Sequence, residues 1–130
     1  MQEQRFPFAG NDENIHEDSL NPDSPYIDIA VEVFSMLADT TRVRIVLALR
    51  EGELPVGELA ARVDKTPTSV SQHLAKLRMA RMVSTRQEGT RVFYSLQDEH
   101  AANLVIQAIC QAEHAVEGDH PPHQRPKITH

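Results

Sequence analysis

From residue 26 onward the apolar residues recur at helical spacing. Ile27, Ala30, Val31, Phe34 and Leu37 or Ala38 fall three and four apart, which predicts a first helix. Asp39-Thr40-Thr41 is a cluster of good N-cap residues. Val43, Ile45, Val46, Leu47 and Leu49 then carry a second helix, stopped by Gly52. Pro55 suits the first turn of a short third helix over about Val56 to Val63, which buries Leu59, Ala60 and Val63. Asp64-Lys65-Thr66 is a tight connection, with Thr66 an N-cap and Pro67 the first residue of a fourth helix ending near Arg81. Its apolar positions Val70, Leu74 and Leu77 make one buried stripe. Val83–Gln87 and Arg91–Leu96 read as two strands joined around Glu88-Gly89-Thr90. A last helix spans about Asp98 to Val116, and Gly118, Pro121, Pro122 and Pro126 mark a non-helical tail.

The expected fold is mainly α with a β-hairpin wing. Residues 26–117 form one winged helix-turn-helix domain of four helices, a hairpin and a fifth helix. A disordered acidic arm precedes it at residues 1–25, and a flexible His- and Pro-rich tail follows at residues 118–130.

Charge changes the picture more than composition does. The net charge of −6 argues against a polyanion partner, but the distribution reverses that impression. Residues 1–39 carry one basic and nine acidic side chains, residues 40–92 ten basic and five acidic, and residues 93–130 two basic and five acidic. The basic segment is the one holding the helix-turn-helix and the wing, where a polyanion would sit. Once its buried stripe is removed, the fourth helix presents Thr68, Ser69, Ser71, Gln72, His73 and Lys76. Short donors and acceptors of this kind reach base edges, and cations meet phosphates. Arg86 and Arg91 flank the turn of the wing, and Arg42, Arg44, Arg78 and Arg81 are further candidates for backbone contacts. Double-stranded operator DNA is the expected partner. The single cysteine, Cys110, forms no internal disulfide, and no signal peptide or membrane span is read, so a cytoplasmic protein is expected. No HExxH pair, nucleophile–base pair or phosphate loop points to an enzyme.

Leu37-Ala38-Asp39-Thr40-Thr41-Arg42, Glu58-Leu59-Ala60, Ser69-Val70-Ser71-Gln72-His73-Leu74-Ala75-Lys76-Leu77 and Gly89-Thr90-Arg91-Val92-Phe93-Tyr94 together resemble the ArsR/SmtB family of bacterial metal-sensing repressors. The resemblance covers about residues 28–116. Val31-Glu32-Val33-Phe34, Leu77-Arg78-Met79-Ala80-Arg81 and Ala112-Glu113-His114-Ala115 are similar to its nickel- and cobalt-sensing members. It implies a winged-helix homodimer whose metal-free form represses a metal-efflux gene and whose metal-bound form leaves the operator.

The histidines fit that expectation. On the last helix His100, Asn103, Gln107, Gln111 and His114 fall within an arc of about 80°, a polar seam on an otherwise aliphatic rod. His100 and His114 are 14 residues apart, roughly 21 Å along the axis, whereas metal–nitrogen bonds are about 2 Å. One chain therefore does not bring both to one ion, but an antiparallel copy across a two-fold axis does, with two equivalent sites per dimer. The resemblance adds Glu113 and the tail residues His120 and His123 to the ligand set. Asp98 matches a carboxylate of the zinc-sensing relatives, where Gln111 replaces one of their ligands. Imidazoles with carboxylate and no thiolate favour Ni(II) or Co(II), with Zn(II) also admitted, over Cu(I). The thiol pair that other members carry on the third helix is absent, since that stretch reads Leu54-Pro55-Val56-Gly57. The competing expectation is a winged-helix regulator blind to metal and controlled by Cys110 or by a partner protein.

Overall fold

The computed structural model describes residues 15–119. A 3-10 turn at Glu17–Leu20 comes first. Then follow α1 (Ile27–Leu37), α2 (Thr40–Leu49), β1 (Leu54–Pro55), α3 (Val56–Val63), α4 (Pro67–Met79), β2 (Val83–Glu88), β3 (Arg91–Leu96) and α5 (His100–Asp119). The segment read as an arm thus holds local structure over residues 15–25, including a buried Ser24 whose hydroxyl accepts the Tyr26 N–H.

The helix starts follow their caps. Asp39 Oδ1 accepts the Arg42 N–H at 3.0 Å and opens α2. Thr66 Oγ1 accepts the Ser69 N–H at 3.1 Å and opens α4, with Pro67 at its first position. Between α3 and α4 the chain reverses through Asp64, which takes a left-handed φ of 59°, a conformation Asp tolerates better than most residues. The exit of α4 is a Schellman turn. Met82 N–H reaches Leu77 O and Arg81 N–H reaches Arg78 O, with Arg81 at φ 63° in the left-handed position.

The wing holds one strand more than expected. β2 and β3 pair antiparallel from Val83↔Leu96 to Glu88↔Arg91, leaving Gly89-Thr90 as a two-residue loop with Gly89 at φ 62°. On the other edge of β3, Leu54 and Pro55 pair with Tyr94 and Phe93, giving the order β1-β3-β2. Pro55 therefore ends a strand and precedes α3 instead of lying in its first turn. α5 continues past Val116 through Gly118 to Asp119. A glycine costs a helix only about 1 kcal/mol, and the first proline comes at Pro121.

The core joins all five helices to the sheet. Ile45, Val46, Leu59, Val70, Leu74 and Leu77 are wholly buried, and Leu49, Val63, Val83, Ala101 and Val105 close around them. The stripe expected on α4 is thus what anchors that helix. Among the described residues no helix is long and apolar enough to cross a membrane.

Asp39 gives a test of this scaffold. The Arg42 N–H, with help from the Arg42 guanidinium and the Thr41 N–H, holds its carboxyl below the ordinary 3.8 against the cost of burial. Its ionised form is therefore favoured by folding. The stabilisation is present above the unfolded value and is lost as pH falls through the folded one. Asp39→Ala is expected to cost about 1–2 kcal/mol at neutral pH. In urea melts the variant and wild-type midpoints should converge below about pH 4. A constant gap down to strong acid would show that the carboxylate is not the source.

Candidate nucleic-acid interface and metal-ligating seam

With Val70, Leu74 and Leu77 turned inward, α4 leaves Thr68, Ser71, Gln72 and Lys76 exposed and Ser69 half-buried at its N-terminal end. Every one of these side chains is short and polar or cationic, and α4 is the second helix of the helix-turn-helix, held at 8-residue α3 by the Asp64 turn. This is a surface that can enter a major groove with its N-terminal residues leading.

His73 sits differently. Its side chain is 21% exposed and lies on the flank of α4, with Nδ1 3.1 Å from Arg42 Nη1 and 3.9 Å from Asp39 Oδ1. Arg42, a candidate for phosphate contact, donates from Nε to the Met36 carbonyl at 2.6 Å. Both residues are therefore engaged inside the protein.

The two wing arginines also separate. Arg86 faces Phe93 across the ladder, and Arg91 lies two residues before Phe93, so the three share one face of the sheet. Both guanidiniums lie over the Phe93 ring, 4.8 and 5.0 Å from its centroid. Arg86 is further committed. It donates from Nε to Glu53 Oε1 at 3.0 Å and from Nη2 to Glu53 Oε2, with Glu88 3.6 Å away. The Arg86 hydrogen bond lowers the Glu53 carboxyl, and Glu53 in turn raises Arg86. Arg86 meets DNA only by giving up Glu53. Arg91 has no carboxylate in ion-pair range among the described residues and is the wing cation better placed to meet a phosphate.

On α5 the side toward the core is set by Ala101, Ala102 and Val105, all buried. The helical repeat puts the seam of His100, Asn103, Gln107, Gln111 and His114 on the opposite side. His100, Gln111, Glu113 and His114 are exposed. Asp98 lies just before the helix, and its Oδ1 accepts the His100 N–H at 2.9 Å, so one of its oxygens serves as a cap. Among the described residues no three His, Cys, Asp or Glu side chains converge on a point that could hold an ion. His120 and His123 lie outside the described residues. Cys110 is half-buried on the same helix.

On the core-facing flank of α5, away from this seam, is a large uncovered apolar surface. A groove of about 310 Å³ runs between α1 and α5, lined by Phe34, Leu37, Val43, Leu104, Ala108 and Ile109 among others. Phe34 is 58% exposed and Ile109 40%, and Val31, also exposed, lies beside Phe34 on α1. Apolar patches of this extent on one chain mark an association surface.

Sequence reasoning missed Glu53, because its partner Arg86 is 33 residues away and only the loop before β1 brings them together. It likewise placed Arg42 and His73 outward, since their contact across 31 residues leaves no local signal.

Residues 39–85 match the family described as "Bacterial regulatory protein, arsR family". The chain is 57% identical over 90 residues to the HTH-type transcriptional regulator KmtR of Mycobacterium tuberculosis, covering 69% of each protein. It is 42% identical over 88 residues to a transcriptional repressor SmtB homolog of Synechocystis, covering 68% of this chain and 64% of that one. Among solved structures it is similar to the homodimeric winged helix-turn-helix DNA-binding domain of a possible ArsR-family transcriptional regulator from Mycobacterium bovis. That likeness has a TM-score of 0.64 and 30% identity, over 75% of this chain and 89% of that one.

Proposed function

The chain belongs to the ArsR family of bacterial regulatory proteins, and from that premise we propose that it is a metal-responsive transcriptional repressor whose metal-free homodimer holds operator DNA. The observation that carries this reading is the double character of α5. The helix whose apolar residues Ala108, Ile109 and Ala112 lack a cover in one chain also displays His100 and His114 on its exposed side. The same helix thus carries an apolar face left without a cover and, on its other side, the candidate metal donors.

The DNA side of the reading rests on Thr68, Ser69, Ser71, Gln72 and Lys76 of α4, with Arg91 of the wing, for bases and phosphates. His73 and Arg86 stand at the edge of that surface, each already tied to another element. The metal side rests on His100, Glu113 and His114, with Asp98, His120 and His123 as further donors. Imidazole and carboxylate without thiolate suit Ni(II) or Co(II), and also Zn(II). A single α5 separates His100 from His114 by roughly 21 Å, so each ion draws on both chains of the dimer. Metal then favours one spacing of the two α4 helices. If that spacing does not match successive major grooves, the metal-bound dimer leaves the operator.

Coupling between two ligands is reciprocal. Titration calorimetry with Ni(II) or Co(II), on the dimer alone and on the dimer bound to a duplex it has enriched from a random-sequence pool, is expected to show weaker metal binding in the complex. The expected factor lies between about 5 and 150. Equal metal affinity in both would overturn the proposal. The visible bands of bound Co(II), compared with a chain ending at Gly118, report whether the tail histidines join the site.

A further inference from the structure

Arg42 touches three helices with one side chain. It belongs to α2, its Nε–H donates to the carbonyl of Met36 in the last turn of α1 at 2.6 Å, and its Nη1 lies 3.1 Å from His73 Nδ1 on α4. Each contact has a physical reason. The Met36 carbonyl is one of the four at a helix C-terminus with no intrahelical donor, and a cation there is also favoured by the helix dipole. A guanidinium has donors and no acceptor. His73 Nδ1 must therefore accept, which fixes the neutral ring with its proton on Nε2. Asp39, whose Oδ1 caps α2 through the Arg42 N–H and lies 3.9 Å from His73 Nδ1, keeps a negative charge beside the pair. His73 is largely buried at 21% exposure, so the ring does not swing away from this contact without cost.

We infer that Arg42 and His73 form a brace that positions the recognition helix α4 on the α1–α2 corner, so that Arg42 acts on DNA selectivity through His73 and not by touching phosphate. The inference rests on α4 being the DNA-reading helix. Its consequence follows from where the brace ends. α1 carries Val31 and Phe34 on the uncovered apolar surface, so the brace ties the reading helix to the face that meets the second copy. Loss of the brace loosens α4 relative to that face, which weakens the match to two half-sites. It removes no cation from the DNA contact.

The test compares a duplex enriched by the wild-type chain from a random-sequence pool with a shuffled duplex, each over a range of salt. Arg42→Gln is expected to lower the preference for the enriched duplex by about tenfold, a loss of about 1.4 kcal/mol, and to leave the salt slope unchanged. His73→Asn places an amide oxygen where Nδ1 stood and lacks the Nε2 proton. It is expected to stay within about threefold of the wild type, whereas His73→Ala should fall with Arg42→Gln. A salt slope lowered by about 1, with both duplexes weakened alike, would make Arg42 a phosphate contact and overturn the brace. His73→Asn falling as far as His73→Ala would overturn it too, by showing that Nε2–H reads the DNA. Nitrogen-15 spectra of the wild-type imidazole at about pH 8 should show the proton on Nε2, and a proton on Nδ1 would sink the inference. If Arg42→Gln does not fold, the His73 pair and the spectrum decide alone. If the wild type enriches no duplex, the DNA reading fails, while the spectrum still tests the brace.

Discussion

Ile109→Glu is expected to yield a folded monomer that binds its DNA site at least about a hundredfold more weakly than the wild type. In one chain Ile109 is 40% exposed, so a carboxylate there reaches water and the core of Ile45, Leu59, Leu74 and Leu77 is untouched. In a dimer closed over the α1–α5 groove the same carboxylate loses its water without gaining a partner, at a cost of several kcal/mol. That is enough to dissociate a typical interface of this kind. A monomer then engages one half-site where the dimer engages two, and the advantage of linked binding, about 10²–10⁴, disappears. Sedimentation velocity reads the association state, thermal melting checks that the chain is folded, and fluorescence anisotropy reads the DNA affinity. A variant that remains dimeric and binds like the wild type would show that the groove beside Phe34 and Val43 is not the interface.

What the sequence carried, it carried through short-range rules. Periodicity located α4, and its three stripe residues Val70, Leu74 and Leu77 are wholly buried. The capping rules found Asp39 and Thr66, and each accepts the backbone N–H three residues on. β1 escaped because two residues, Leu54 and Pro55, carry no period; only the presence of β3 makes them a strand. The ion pair of Arg86 with Glu53 and the contact of Arg42 with His73 escaped because topology, not spacing, brings such residues together. α1 shows a subtler limit. Its apolar face was legible in Ile27, Ala30, Val31, Phe34 and Leu37, yet only Leu37 is buried in the chain. Periodicity reveals that a face needs covering and is silent on whether the cover comes from the same chain. The metal seam shares that limit, since the spacing of His100 and His114 was plain while the proposed ligand set would close only with a second α5.

That closure gives the sharpest expected result. Replacing both His100 and His114 by alanine should leave metal-free DNA binding nearly unchanged, since both side chains are exposed and lie on α5 and not on the reading helix α4. It should abolish release by Ni(II) or Co(II), a loss of about 1–3 kcal/mol of coupling. A donor lost from the helix by itself does not say whether the site is shared. Mixed dimers do. If each ion sits between His100 of one chain and His114 of the other, His100→Ala homodimers and His114→Ala homodimers both lack any intact site. A dimer made of one chain of each kind concentrates both losses in one site and keeps the other whole. Purified through two different tags, that mixed dimer is expected to bind one ion where the wild type binds two, and to regain part of the metal-driven release. Mixed dimers as inert as either parent would exclude a site shared between the two α5 helices. Release that survives the double substitution would place the metal elsewhere in the chain.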